Sequence, residues 1–322
     1  MAKSRLDFDV ESSVEAICQW MRQEVFSTLR RRGAVVGLSG GVDSSVCCAL
    51  AVRAFGPDKV LGLCMPERDS SSFSLRVGQL VAKTFKIPVV TEVLAPGLQG
   101  LGCYDKQLEA IRQVFPEYGE GYKCKITMPP VIESDRLNFV HLVIEDPKGE
   151  QRSARMPVGP YLQMVAATNY KQRLRTVTEY YHADRLNYAV IGTPNYVEYD
   201  QGFFVKGGDG LADIKPIAHL YKTQVYAIAK HLGVPGEVTS TPPTTDTFSL
   251  PQTQEEFYYA LPFDKMDVCL HAKNHGVTPE ELGPEMGLTA EQVGRVYRDI
   301  EAKRKVAKYL HMSPITFPKT KG

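Results

Sequence analysis

Residues 39 to 45 read Ser39-Gly40-Gly41-Val42-Asp43-Ser44-Ser45, small and hydroxylated residues around a single carboxylate. Glycines let a backbone approach a ligand closely, and successive N–H groups in such a turn form a concave anion-binding nest. The run opens into an apolar, breaker-free stretch from Ser44 to Ala54. A helix starting there presents unpaired N–H groups and the positive end of its dipole to whatever the loop holds, which suits phosphate. Ser39, Ser44 and Ser45 bring hydroxyls to the same place. The loop has neither the GK[ST] ending of a Walker A motif nor GxGxxG spacing, so a nicotinamide-dependent dehydrogenase has no footing. A Ser/Gly turn that only caps a helix is the simpler alternative.

Further stretches place charge beside glycine. Gly192-Thr193-Pro194-Asn195-Tyr196-Val197-Glu198 is followed by Gly202-Phe203-Phe204-Val205-Lys206-Gly207-Gly208-Asp209-Gly210-Leu211-Ala212-Asp213. Upstream stands Asn169-Tyr170-Lys171-Gln172-Arg173-Leu174-Arg175; downstream come Pro243-Thr244-Thr245-Asp246 and Glu301-Ala302-Lys303-Arg304. Arg173 suits bidentate anion binding, whereas Asp209 or Asp213 suits a cation. Phe203 and Phe204 offer a stacking face or, equally, an apolar pair in a buried turn. Asp43 could merely cap its helix, and Lys222 taken alone reads as a surface lysine. His271 and His275 share a helical spacing, but no HExxH pattern or acidic third ligand accompanies them, so a solvated or core-edge pair is favoured.

The elements that must position these residues follow from periodicity. Val14, Ile17, Met21, Val25 and Leu29 mark a helix over Val10 to Arg31. Ala34 to Leu38, Val60 to Met65, Ile87 to Val93 and Tyr188 to Ile191 read as strands, with Ile214 to Ile217 as a fifth. Helical patterns fill Ser44 to Ala54, Ser72 to Phe85, Tyr161 to Arg185, Lys222 to Leu232 and Ala290 to Leu310. This alternation predicts an α/β fold with a doubly wound parallel sheet. Asp43 and Glu198 then fall at the carboxyl ends of the first and fourth strands, where such sheets bind ligands. Met65, ending the second strand, lies beside a bound base or is an ordinary core methionine. Residues 96–159 break the rhythm and read as an insertion over the active-site face, with strands at Lys123 to Met128 and Phe139 to Glu145 and a hairpin turn at Asp146-Pro147-Lys148-Gly149.

The SGGVDSS loop resembles that of the pyrophosphate-loop ATPases, which implies an adenylating enzyme splitting ATP into AMP and pyrophosphate. Within that superfamily, the 192–198 and 202–213 stretches are similar to the GT…E…GFFxKxGDGxxD signature of the NAD synthase family, of the ammonia-dependent type. Asn169 to Arg175 resembles its NxKxRxR helix start, Pro243 to Asp246 its PTAD segment, and Glu301 to Arg304 its EHKR element. The resemblance runs from about Val10 to Arg304, apart from part of the insertion, as one domain over 1–322 with no glutaminase domain. It implies a fold of the adenine-nucleotide alpha-hydrolase-like type with a hairpin-like insertion. It also implies adenylation of the carboxylate of nicotinic acid adenine dinucleotide and amidation by ammonia, free or from a separate glutaminase. By the same resemblance Asp43 and Glu198 hold Mg²⁺, whose hard charge offsets that of the leaving pyrophosphate. Thr193, Lys222 and Thr244 match positions on the ATP phosphates, beside Ser39, Gly40, Gly41, Ser44 and Ser45. Asn169, Arg173, Phe203, Lys206, Asp209, Asp213, Lys303 and Arg304 fall to the acid substrate. A homodimer through the apolar face of the Tyr161 to Arg185 helix is implied as well.

The chain departs from the family pattern in places. Ala302 and Asn195 stand where histidines are common, Glu255-Glu256-Phe257-Tyr258-Tyr259 occupies the place of an acidic pair, and Pro130 to Met156 is longer than the family needs. These departures leave room for a different small acid on the same scaffold, or for an ATP-binding sensor without turnover. Composition narrows the rest. With 38 Lys+Arg against 37 Asp+Glu in 322 residues, the net charge of +1 leaves no electrostatic footprint for nucleic acid. No apolar run approaches the roughly 18 residues of a membrane span, and Asp7, Asp9 and Glu11 interrupt the amino end, so a cytoplasmic protein is expected. Seven cysteines without CxxC spacing argue for reduced, mostly buried thiols, and against the paired catalytic cysteines of tRNA-thiolating enzymes.

Overall fold

The computed structural model describes residues 5–128, 140–242, 247–259 and 261–317. Strands β1 (Ala34–Gly37), β2 (Val60–Cys64), β3 (Val89–Thr91) and β7 (Ala189–Ile191) form a parallel sheet in the order β3-β2-β1-β7. Alternation along each strand sends residues to opposite faces. Ala34 and Val36 enter one core with Val60, Cys64 and Ile191, whereas Val35, Leu61, Leu63 and Val190 enter another. The first face is covered by α1 (Val10–Arg22), α2 (Val42–Phe55), α3 (Ser72–Thr84) and α8 (Lys222–His231); the second by α4 (Ala95–Gly100), α5 (Cys103–Arg112) and α6 (Val158–Leu186). The expected doubly wound sheet is therefore observed, and its order reverses between β1 and β7.

Several sequence expectations change in detail. The first helix gives way to a π-helical turn at Gln23–Thr28, and the expected fifth strand reduces to a single bridge between Ile191 and Ile214. Pro216 within that run has no N–H for a ladder, which limits the pairing. The described residues of 96–159 hold more regular structure than an insertion loop. They hold α5 and an antiparallel sheet of β4 (Lys123–Thr127), β5 (His141–Glu145) and β6 (Gln151–Arg155), with Asp146 accepting from the Lys148 and Glu150 amides in the hairpin turn. Its apolar side, with Ile126, Leu142 and Ile144, packs on Ile111 of α5, Met164 of α6 and Phe248. Part of the segment read as a long insertion, 129–139, lies outside the described residues.

Short α7 (Tyr196–Gln201) follows β7, and α9 (Gly236–Thr239) follows α8. Helices α10 (Phe263–Asn274), α11 (Pro279–Met286) and α12 (Ala290–His311) build a separate core with Val197 of α7 and Leu261. All seven cysteines are buried and free. Among the described residues, no helix is long and apolar enough to cross a membrane.

Candidate active site at the sheet switch point

The Ser39–Ser45 loop sits where the strand order reverses, at the carboxyl end of β1 and the amino end of α2. Gly40 has φ 83°, and a Cβ there would come within 2.8 Å of the Ser74 carbonyl oxygen, so both conformation and close approach require glycine. Inside the loop, Gly41 donates its N–H to Ser39 Oγ at 3.3 Å, the Ser39 and Ser44 hydroxyls meet at 3.1 Å, and Ser45 Oγ donates to the Gly41 carbonyl at 2.8 Å. The hydroxyls thus fix the turn that aims the helix amino terminus.

Asp43 is the centre of a buried charged group. Its Oδ2 accepts from Lys222 Nζ, at the first residue of α8, and its Oδ1 accepts from Asn195 Nδ2 at 3.0 Å. Asn195 and Glu198 form a reciprocal capping box on α7, each accepting the other's N–H at 3.2 Å. Glu198 Oε1 lies 3.7 Å from Lys222 Nζ and accepts from Gln254 Nε2 at 3.2 Å. Burial, then the neighbouring Asp43 carboxylate, push the Glu198 carboxyl up to about 7, with Lys222 pulling the other way. Burial alone would lower the Lys222 ammonium, but Asp43 and Glu198 outweigh it and hold it above the ordinary lysine range. Asp267 of α10 caps α8, accepting from the Lys222 and Thr223 amides at 3.2 and 2.7 Å, and so sets where Lys222 begins. Gln254 and Asp267 carry no local sequence signal, because each acts across more than forty residues.

A second charged group lies behind β1. Arg175 and Glu179, one turn apart on α6, meet Asp209 and Lys215. Asp209 accepts from the Val205 amide at 2.7 Å, and its carboxyl is pushed up to about 6 by burial, with that N–H and Arg175 opposing. Burial and then the Asp209 charge push Glu179 up to about 8, against Arg175. A Cβ on Gly37 would collide with Glu179 Oε1, so this group reaches the end of β1. Arg175 stands in the same motif as Arg173, but the motif alone does not say which arginine turns inward.

Other expected site residues have partners within the fold. Arg173 is exposed and donates to the Lys206 carbonyl at 3.3–3.4 Å. Lys206 Nζ donates to the Tyr309 and Met312 carbonyls at 2.9 Å, at the end of α12. Asp213 accepts from the Val190 amide at 2.8 Å and from Tyr180 Oη at 3.2 Å, tying its loop to β7. Phe203 packs on Phe257, Tyr258 and Tyr259. Lys303 donates to the Tyr258 carbonyl and to Asp299, while Arg304 grips Asp200 with two bonds of 2.8 and 3.0 Å. Met65 is buried in the apolar layer, and Asn169 and Thr193 are half-buried, on α6 and just past β7. Thr244 lies outside the described residues. His271 and His275 stack at 4.0 Å as a core-edge pair.

A parallel sheet with a Ser/Gly loop at its switch point, shared in fold with solved NAD synthetases, belongs to the adenine-nucleotide alpha-hydrolase-like class. Within that class, the family model of NAD synthase matches residues 13–107 and 137–307, and this chain belongs to that family. It is 57% identical over 310 residues to an NH(3)-dependent NAD(+) synthetase of Mesorhizobium japonicum, covering 96% of this chain and 97% of that one. A Rhizobium meliloti protein of the same description is 54% identical over 309 residues, 96% and 92% of the two chains. Among solved structures, the NMN synthetase of Francisella tularensis superposes with a TM-score of 0.64 at 21% identity, over 98% of this chain and 100% of that one. The NH3-dependent NAD synthetase of Campylobacter jejuni gives 0.60 at 19%, over 97% and 100%.

Proposed function

We infer that this chain joins ammonia to the carboxylate of nicotinic acid adenine dinucleotide at the expense of ATP, giving NAD, AMP and pyrophosphate. The observation that carries the reading is the pairing of sites across β1. The Ser/Gly loop with Asp43, Lys222 and Glu198 faces one side, and Arg175, Glu179 and Asp209 gather on the other. The substrate carboxylate oxygen attacks the α-phosphorus, and the bond to the bridging oxygen breaks as pyrophosphate leaves. Ammonia nitrogen then attacks the acyl carbon, the acyl–oxygen bond breaks, and AMP departs with that electron pair.

Each group has a task in this scheme. Loop N–H groups and Lys222 hold the phosphates, Thr193 adds a contact from just past β7, and the family resemblance gives Thr244 the same task. Asp209, mostly ionised at neutral pH, attracts ammonium and takes its proton. Arg173, Lys206, Lys303, Arg304 and Asn169 line the approach of the dinucleotide, with Asp213 and Phe203 holding the loop that carries Lys206. Mg²⁺ supplies charge compensation at the leaving pyrophosphate when bound, and Asp43 and Glu198 are the residues that would hold it. Their donor set fits. Two carboxylates already converge on one cation, Lys222, and Mg²⁺ uses one or two carboxylates together with substrate phosphates. The exposed stripe of Leu162, Val177 and Tyr181 on α6, each about 60% exposed, supports pairing of two copies through that helix.

The test is amide formation, followed by mass, from a panel of acids with ATP and ammonium. The panel holds the dinucleotide acid, its mononucleotide counterpart, nicotinic acid, aspartate and xanthosine monophosphate. The mononucleotide belongs there because a structural neighbour is described as an NMN synthetase. The dinucleotide acid should be the preferred substrate; amide from another acid alone would leave adenylation standing and overturn the substrate.

A further inference from the structure

Lys171 stands between Asn169 and Arg173 in the α6 motif, yet it faces away from the substrate approach. It is 1% exposed, among the largest fully buried side chains, and its ammonium is spent within the fold. Nζ donates to Glu67 Oε1 at 3.0 Å, to Asp69 Oδ2 at 2.7 Å and to the Thr247 carbonyl at 2.9 Å. A lysine has three N–H donors, so none is left for a ligand. The surrounding groups close the network. Tyr104 Oη donates to Glu67 Oε2 at 3.0 Å and accepts from the Arg68 amide at 3.2 Å, and the Arg68 guanidinium lies over the Tyr104 ring at 3.8 Å while reaching Asp69 at 3.2 Å. Buried ion networks of this kind gain little stability over an apolar core of the same shape. What this one does is fix geometry.

The anchored segments lead to the ATP side of the site. Glu67 and Asp69 lie just past Met65 at the end of β2. Ser70 Oγ accepts from the Glu67 amide at 3.1 Å, Ser71 Oγ caps α3 through the Ser74 amide at 3.1 Å, and the Ser74 carbonyl closes on Gly40. Hydrogen bonds and backbone therefore run from Lys171 to Ser74, whose backbone packs directly against Gly40 of the Ser39–Ser45 loop. The third donor holds Thr247, the residue that follows the 243–246 segment bearing Thr244.

We propose that Lys171 is a positioning residue for ATP: through Glu67 and Asp69 it fixes the segment that follows β2, and through the Thr247 carbonyl the start of 247–259, onto the helix that carries the acid-substrate arginines. This rests on the reading of the 39–45 loop as the ATP site. Wild-type amidation of the dinucleotide acid is the control that separates the two, since its failure would defeat the function and not Lys171.

The experiment compares full-length wild type with Lys171→Arg, Lys171→Met and the triple variant Lys171→Met/Glu67→Gln/Asp69→Asn. Steady-state KM for ATP and for the dinucleotide acid, kcat and the thermal midpoint are measured for each. Lys171→Met should raise the KM for ATP by about tenfold while the acid KM moves less than about twofold. Its midpoint should fall, because two buried carboxylates lose their counter-ion. The triple variant should recover the midpoint but keep the raised ATP KM. Lys171→Arg, which keeps the charge and displaces the contacts, should fall between wild type and Lys171→Met in ATP KM, and it decides the matter if the others do not fold. A purely structural lysine would give a triple variant with both midpoint and ATP KM restored, or Michaelis constants that rise together; either result, or an unchanged ATP KM in folded variants, overturns the proposal.

Discussion

Glu179 offers the sharpest test of the electrostatics behind β1. Burial, then the Asp209 charge, raise its carboxyl from an ordinary 4.5 to about 8, with Arg175 opposing. The folded chain therefore binds a proton there between these values that the unfolded chain has released. Stability must fall as pH rises through that window, since it falls wherever the native state holds more protons. At about 1.4 kcal/mol per pH unit the full window amounts to about 5 kcal/mol, and screening at a half-buried group brings this to about 2–3 kcal/mol. Asp209, raised to about 6, adds the same sign between 3.8 and 6, so the measurement belongs above pH 6. Urea unfolding of wild type and Glu179→Gln across pH 6 to 8.5 reads the effect directly. Glutamine has the shape of the protonated acid and does not titrate. The variant should already be ahead at pH 6, because the window opens at 4.5, and its lead should widen by about 1–2 kcal/mol by the alkaline end. Parallel curves would refute the claim that Glu179 is held protonated.

Asp43→Asn and Glu198→Gln should each abolish ATP-dependent pyrophosphate release while circular dichroism stays native; near-native release in both would remove them from the phosphate site. Wild type should sediment as a dimer at micromolar concentration, and Val177→Glu should shift it to monomer because a two-fold interface meets the charge twice. A wild-type monomer defeats that expectation. The amidation rate should rise with pH along a limb near 6, the value to which burial raises Asp209, because the carboxylate must be ionised to take a proton. Asp209→Asn should lose that limb and raise the KM for ammonia, whereas an unchanged limb assigns it to another group.

The sheet and the Ser/Gly turn between β1 and α2 were legible because their signals are local. Val35 and Leu61 alternate with Val36 and Val60 over a few residues, and the loop's glycines, serines and following helix are contiguous. The α6 motif was legible only as a motif. Asn169, Lys171, Arg173 and Arg175 are spaced by two, and a helix turns about 200° over that interval, so successive members point to opposite sides. Lys171 is buried, Arg173 exposed and Arg175 half-buried, and nothing in the spacing says which parity faces the sheet. Residues 96–159 were underestimated for a related reason. The apolar side of β5 alternates cleanly at Leu142 and Ile144, but α5 packs through Ala110 and Ile111 onto strands distant in sequence. Charged groups were the hardest to place. Burying a charge is tolerable only beside its partner, and the partners of Lys171 and Asp43 lie 76 to 179 residues away. The feature that makes such a group informative about a site, dependence on a distant counter-ion, is the feature that removes it from any local pattern. Asn195 shows the consequence. As a departure from the family's histidine it suggested a reshaped acid pocket, but the fold gives its amide two tasks at once, capping α7 with its oxygen and holding Asp43 with its nitrogen. Under the proposed assignment of Asp43 to ATP, its influence falls on the nucleotide, where the dual donor and acceptor of an amide serves without titrating near neutral pH.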